Sequence, residues 1–98
     1  MRLLKAVEIG QIATARVFIA EGDDVNEFSE SGNCPLLEAA NCNGTQMVAL
    51  LLKHDAAPDV HDMRKNTPLS WAIKHKNAEM ENLINTALEN QTQSTLRM

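Results

Sequence analysis

The chain matches itself when it is displaced by 33 positions, and this periodicity restricts the fold more than any other feature. Leu3, Leu36 and Leu69 coincide, as do Ala6, Ala39 and Ala72. Pro35 falls on Pro68, Asn33 on Asn66, Met47 on Met80 and Leu50 on Leu83, without a gap. Val17 joins Leu50 and Leu83, and Phe18 joins Leu51 and Ile84. A single unit of this length cannot bury its own apolar face, so neighbouring units stack and share a core. The repeat predicts a solenoid of three units, at about residues 1–25, 26–58 and 59–89.

Each unit reads as two short helices. Cys34-Pro35 and Thr67-Pro68 are helix starts, because Pro at the first helical position has its φ already set and needs no N–H partner. Thr67 is a good N-cap and Cys34 a poor one. The first helices run from Pro35 to about Cys42 and from Pro68 to about His75. Turns at Gly10, Asn43-Gly44 and Lys76-Asn77 follow, since Gly and Asn accept the left-handed backbone that ends a helix. Second helices are expected over Ile12–Ala20, over Thr45–His54, and from Ala78 to about Leu88. The connectors Asp23–Asn33 and Ala56–Asn66 are rich in turn formers and read as hairpin-like loops. Residues 90–98 are polar, have no repeat counterpart, and are expected to form a flexible tail.

Composition agrees with packed helices. The 98 residues are 44% hydrophobic but only 3% aromatic, so Leu, Ile, Val, Ala and Met must fill the core. A β-sandwich would want more aromatic and β-branched residues. The net charge of −4 argues against binding nucleic acid, which depends on neutralising phosphates. Glu8, Glu21, Asp23, Asp24, Glu27 and Glu30 lie early in the chain, whereas Arg64, Lys65, Lys74 and Lys76 lie late. The longest apolar run, Val48–Leu52, is far below the ~18 residues of a membrane span, and Lys5 and Glu8 interrupt any secretory segment. A cytoplasmic protein with reduced thiols is expected.

The residues Gly32-Asn33-Cys34-Pro35-Leu36-Leu37-Glu38-Ala39-Ala40 and Asn66-Thr67-Pro68-Leu69-Ser70-Trp71-Ala72 resemble the ankyrin repeat. So do Met47-Val48-Ala49-Leu50-Leu51-Leu52 and the exit Gly22-Asp23-Asp24-Val25-Asn26. The likeness covers residues 3 to about 88. Lys65 and Asp55 stand where the family has glycine, and Leu37 and Ser70 where it has histidine. The resemblance implies an all-α ankyrin-repeat solenoid with atypical terminal units.

The resemblance also implies that the variable rows form a concave face that grips another protein. Those rows hold Phe28, Glu30 and Ser31 on the first loop and His61, Met63 and Arg64 on the second, and the matched pair Asn33 and Asn66 joins them on the same face. Asn41, Cys42, Lys74 and His75 supply the first-helix positions. Exposed apolar tips at Phe28 and Met63 would anchor, with Arg64 and His75 as polar contacts. The bland alternative for each residue is unconstrained surface. Trp71 is expected to pack between units, and Glu38 to hold loop backbone.

Cys42 and His75 occupy equivalent places in adjacent units, and such a pair can build a nucleophile or half a metal site. No third residue orients the histidine and no metal-ligand spacing exists, so neither catalysis nor a cofactor or metal is expected. Cys34 reads as a small buried hydrophobe. The expected function is protein binding, as adaptor or inhibitor. The alternatives are a self-associating structural subunit, with a homodimer as its form, and an immunity-type inhibitor or effector fragment acting on one enzyme.

Overall fold

The computed structural model describes residues 2–96, with side chains through residue 90. Among the described residues there are six helices and no strand. They are α1 (Arg2–Glu8), α2 (Ile12–Ala20), α3 (Pro35–Asn41), α4 (Thr45–Lys53), α5 (Pro68–Lys74) and α6 (Ala78–Leu96). Each unit is a helical hairpin. The first helices α1, α3 and α5 pack side by side in one layer, and α2, α4 and α6 form the other. The all-α solenoid expected from the repeat is the observed architecture.

The repeat is visible in the backbone. Seven described residues have positive φ, and all seven fall on three repeat positions. Gly10, Asn43 and Lys76 close the turn inside each unit at φ 74, 58 and 54°. Gly22 and Asp55 end the second helix, and Gly32 and Lys65 turn the loop tip. The Asp55 and Lys65 turns therefore form despite lacking glycine. At the inner turn Gln11, Gly44 and Asn77 donate their N–H groups to Ala6, Ala39 and Ala72, five residues back, at 2.9–3.0 Å. These bonds satisfy carbonyls that a helix end would leave open.

The helix starts differ as their residues predict. Thr67 and Ser70 form a reciprocal capping box at α5, and no side chain caps α3 at Cys34. The core runs through equivalent positions. Leu3 and Leu36 are buried and Leu69 half-buried, whereas Ala6, Ala39 and Ala72 are buried throughout. Leu51 and Ile84 are wholly buried, and their counterpart Phe18 packs at the core edge beneath the Arg2 guanidinium, 4.2 Å from its ring centre. Arg2 also pairs with Glu21 at 2.7 Å and Asp23 at 2.9 Å, and this cation holds the Asp23 carboxyl below its usual range.

Two sequence expectations need correction. Val17 aligns with Leu50 and Leu83 but is 53% exposed. Leu50 and Leu83 face the second helix of the preceding unit, and the first unit has no such neighbour among the described residues. At the other end polar residues stand where earlier units carry apolar ones. Glu81 matches Ala15 and Val48, and Asn85 matches Ile19 and Leu52. The last helix also continues beyond Leu88 to Leu96, because no Gly or Pro follows to stop it. The tail expected over 90–98 is thus helical in its backbone to residue 96, and residues 97–98 lie outside the described residues.

Candidate functional site

The two connectors, though not strands, are built alike. Ser29 N–H donates to the Asn33 carbonyl at 2.7 Å, and Asp62 N–H donates to the Asn66 carbonyl at 3.0 Å. In the second loop the Asp62 carboxylate accepts from the backbone of Arg64 at 2.8 Å and of Asn66 at 2.9 Å, and from the Asn66 side chain at 3.0 Å. These hydrogen bonds, Asn66 first, hold the Asp62 carboxyl below its usual range. Asp62 thus braces its own loop, a role that the variable rows do not reveal. Its signal is the Asp at the head of the family's loop pattern, which Asp62-Met63-Arg64-Lys65 matches except at its glycine place.

The structure places Phe28, Glu30 and Ser31 exposed on the first loop, and His61, Met63 and Arg64 exposed on the second. Phe28 is 46% exposed and Met63 75%. The two tips touch. A Cβ on Gly32 would lie 3.0 Å from Met63 Cγ, a tight contact that the exposed Met63 side chain can relieve by a small shift, so this place favours glycine through its φ of 82°. Asn33 and Asn66 are half-buried and brace their own loops. Asn33 donates its amide to Glu38 Oε1 at 2.7 Å, and its Oδ1 accepts from Cys34 N–H at 3.0 Å. Glu38 thus holds a loop side chain where loop backbone was expected.

Along the first helices, Asn41, Cys42, Lys74 and His75 are exposed. The His75 ring lies against Trp71, with centroids 6.3 Å apart, and Lys74 Nζ sits 5.0 Å from the Trp71 ring centre. Half-buried Trp71 packs against the core. Ser31, Asn33, Leu37, Asn41, Asp62 and Trp71 line a shallow pit of about 140 Å³ between the second and third units. Leu37 and Trp71 supply its apolar part.

Cys42 and His75 are not joined. Cys42 Sγ donates to Glu38 Oε2 at 3.0 Å, and His75 Nε2 donates to the Asn41 carbonyl at 2.8 Å. Partial burial and the Glu38 carboxylate push the Cys42 thiol up to about 11, which disfavours a thiolate nucleophile. Cys34 is buried, as expected, and burial raises its pKa too. Among the described residues no three His, Cys, Asp or Glu side chains gather as a metal site.

A family model described as ankyrin repeats, in three copies, matches residues 3–94. The chain belongs to the ankyrin-repeat family. Among solved structures it is similar to an ankyrin repeat domain from Acinetobacter baumannii AYE, at 39% identity and a TM-score of 0.81. That match covers 87% of this chain and 46% of the other, so the ankyrin-repeat chain spans less than half of that relative. No curated protein matches it. Ankyrin repeats are in general protein–protein interaction modules. Among the described residues of this ankyrin-repeat chain, no helix is long and apolar enough to cross a membrane.

Proposed function

We propose that the chain is a non-catalytic module of the cytoplasm that binds one partner protein across its loop tips and first helices, as an adaptor or an inhibitor. The observation that carries this reading is the row of exposed side chains on a rigid frame. Phe28 and Met63 offer apolar anchors, and Arg64, Lys74 and His75 offer polar contacts beside the pit. Glu30, Ser31, His61, Asn41 and Cys42 complete the rim, with Asn33 and Asn66 fixing the loops beneath it. Interface energy concentrates in a few such anchors surrounded by near-neutral contacts. The left-handed turns preset the loops, so less ordering entropy is lost on binding.

The test is affinity capture from the native source with the parent chain and with a Phe28→Ala, Met63→Ala, Arg64→Ala, His75→Ala variant. The partner retained by the parent is expected to be lost by the folded variant. Retention at equal yield would place the interface elsewhere. Self-association is a second reading, favoured by Val17, which is exposed on α2 where its counterpart Leu50 is buried. Light scattering at high concentration decides it, and a strict monomer rejects it.

A further inference from the structure

On the layer opposite the concave face, α2 and α4 pack less extensively than α4 and α6, and a groove of about 760 Å³ runs between them. Ile12 from α2 and Ala49 and Leu50 from α4 make its floor apolar. Arg16, Lys53 and His54 stand on its rim, and all three are exposed. No carboxylate lines it, although the chain as a whole carries −4. Among the described residues the ion pairs all belong to Arg2, so Arg16 and Lys53 are in none. The equivalent groove between α4 and α6 is smaller, about 430 Å³, and Glu79 shares it with Lys53. The first groove is therefore larger than its repeat counterpart, apolar along its floor and cationic at its edge.

From this geometry we infer that the α2–α4 groove is a second docking surface, for an acidic amphipathic helix of a partner protein. A helix lays an apolar stripe into a groove between two helices, with side chains at i, i+3, i+4 and i+7 as anchors. Ile12, Ala49 and Leu50 receive that stripe. Carboxylates on the helix flanks meet Arg16, Lys53 and His54, which sets orientation and excludes basic partners. Nucleic acid suits the site less well, since an apolar floor does nothing for a phosphate backbone and two cations neutralise little of one. The inference is independent of the concave-face reading, because the two surfaces share no residue.

The probes are two synthetic peptides of roughly 14 residues, about four helical turns. Both carry the same leucine stripe, one flanked by Glu and the other by Lys. Labelled amide and methyl NMR spectra of the full chain locate binding, and a short single-stranded DNA is titrated alongside. The Glu peptide is expected to shift Ile12, Ala49 and Leu50 and to bind at least about tenfold more tightly than the Lys peptide, with the gap narrowing in salt. Arg16→Glu with Lys53→Glu, both at exposed positions, is expected to reverse that preference while melting stays within a few degrees of the parent. Equal binding of both peptides, shifts confined to the loop tips, binding of the DNA in their place, or no binding would each overturn the inference.

Discussion

His75 Nε2 lies 2.8 Å from the carbonyl oxygen of Asn41, one unit earlier in the stack. The oxygen only accepts, so the ring carries its proton on Nε2. This bond ties the end of α5 to the end of α3. His75→Ala is expected to cost about 0.5–1.5 kcal/mol in urea unfolding, the worth of one such bond. An unchanged midpoint would mean that the contact is not kept in solution.

Lys65 occupies a left-handed turn at φ 66°, where its counterpart in the first loop is Gly32. A side chain there is strained and glycine is not. Lys65→Gly is expected to stabilise by up to about 1 kcal/mol. Gly22→Ala, at φ 100° with nothing within 4 Å of the new Cβ, is expected to cost about 1–2 kcal/mol through the backbone alone. Thermal melts of both variants check the pair, and the same sign for both would refute the backbone argument.

The register was legible because it rests on apolar side chains spaced 33 apart, and Leu36, Ala39, Met47 and Leu51 are all buried. The cap at Thr67 and the turns at Gly10 and Asn43 were legible for the same local reason. Val17 was not, because its burial depends on a neighbour and not on its own type. Asp62 escaped as well, and Glu38 was legible as a loop brace but not by its partner, the Asn33 side chain, since no periodicity records the path of a loop. The tip residues could be singled out only by what they fail to match, which shows variability and leaves the chemistry of contact to be found.

Leu51 is 0% exposed at the centre of the middle unit. Leu51→Ala is expected to cost about 2–5 kcal/mol, from lost transfer energy and the cavity left behind. Chemical denaturation measures it, and a loss below about 1 kcal/mol would contradict the packing described.

Cys42 is exposed yet bonded to Glu38, with its thiol pushed up to about 11. Its alkylation by iodoacetamide is expected to be slow at pH 7.5 and to quicken as pH climbs toward 11, because the thiolate is the reacting form. Glu38→Gln removes the carboxylate and is expected to shift that profile to lower pH. Fast labelling of the parent at pH 7.5 would refute the assignment. Cys34, buried at the N-cap of α3, is expected to stay unlabelled until unfolding.

The two ends of the stack are chemically unlike, with Val17 bare at one and Glu81 and Asn85 standing where earlier units carry apolar residues at the other. Lengthening the array in the laboratory is therefore a one-way operation. A consensus repeat fused ahead of Arg2 would gain oil-like contacts at the junction. The same module fused after α6 would have to dehydrate a carboxylate and an amide, and would need those two positions rewritten first.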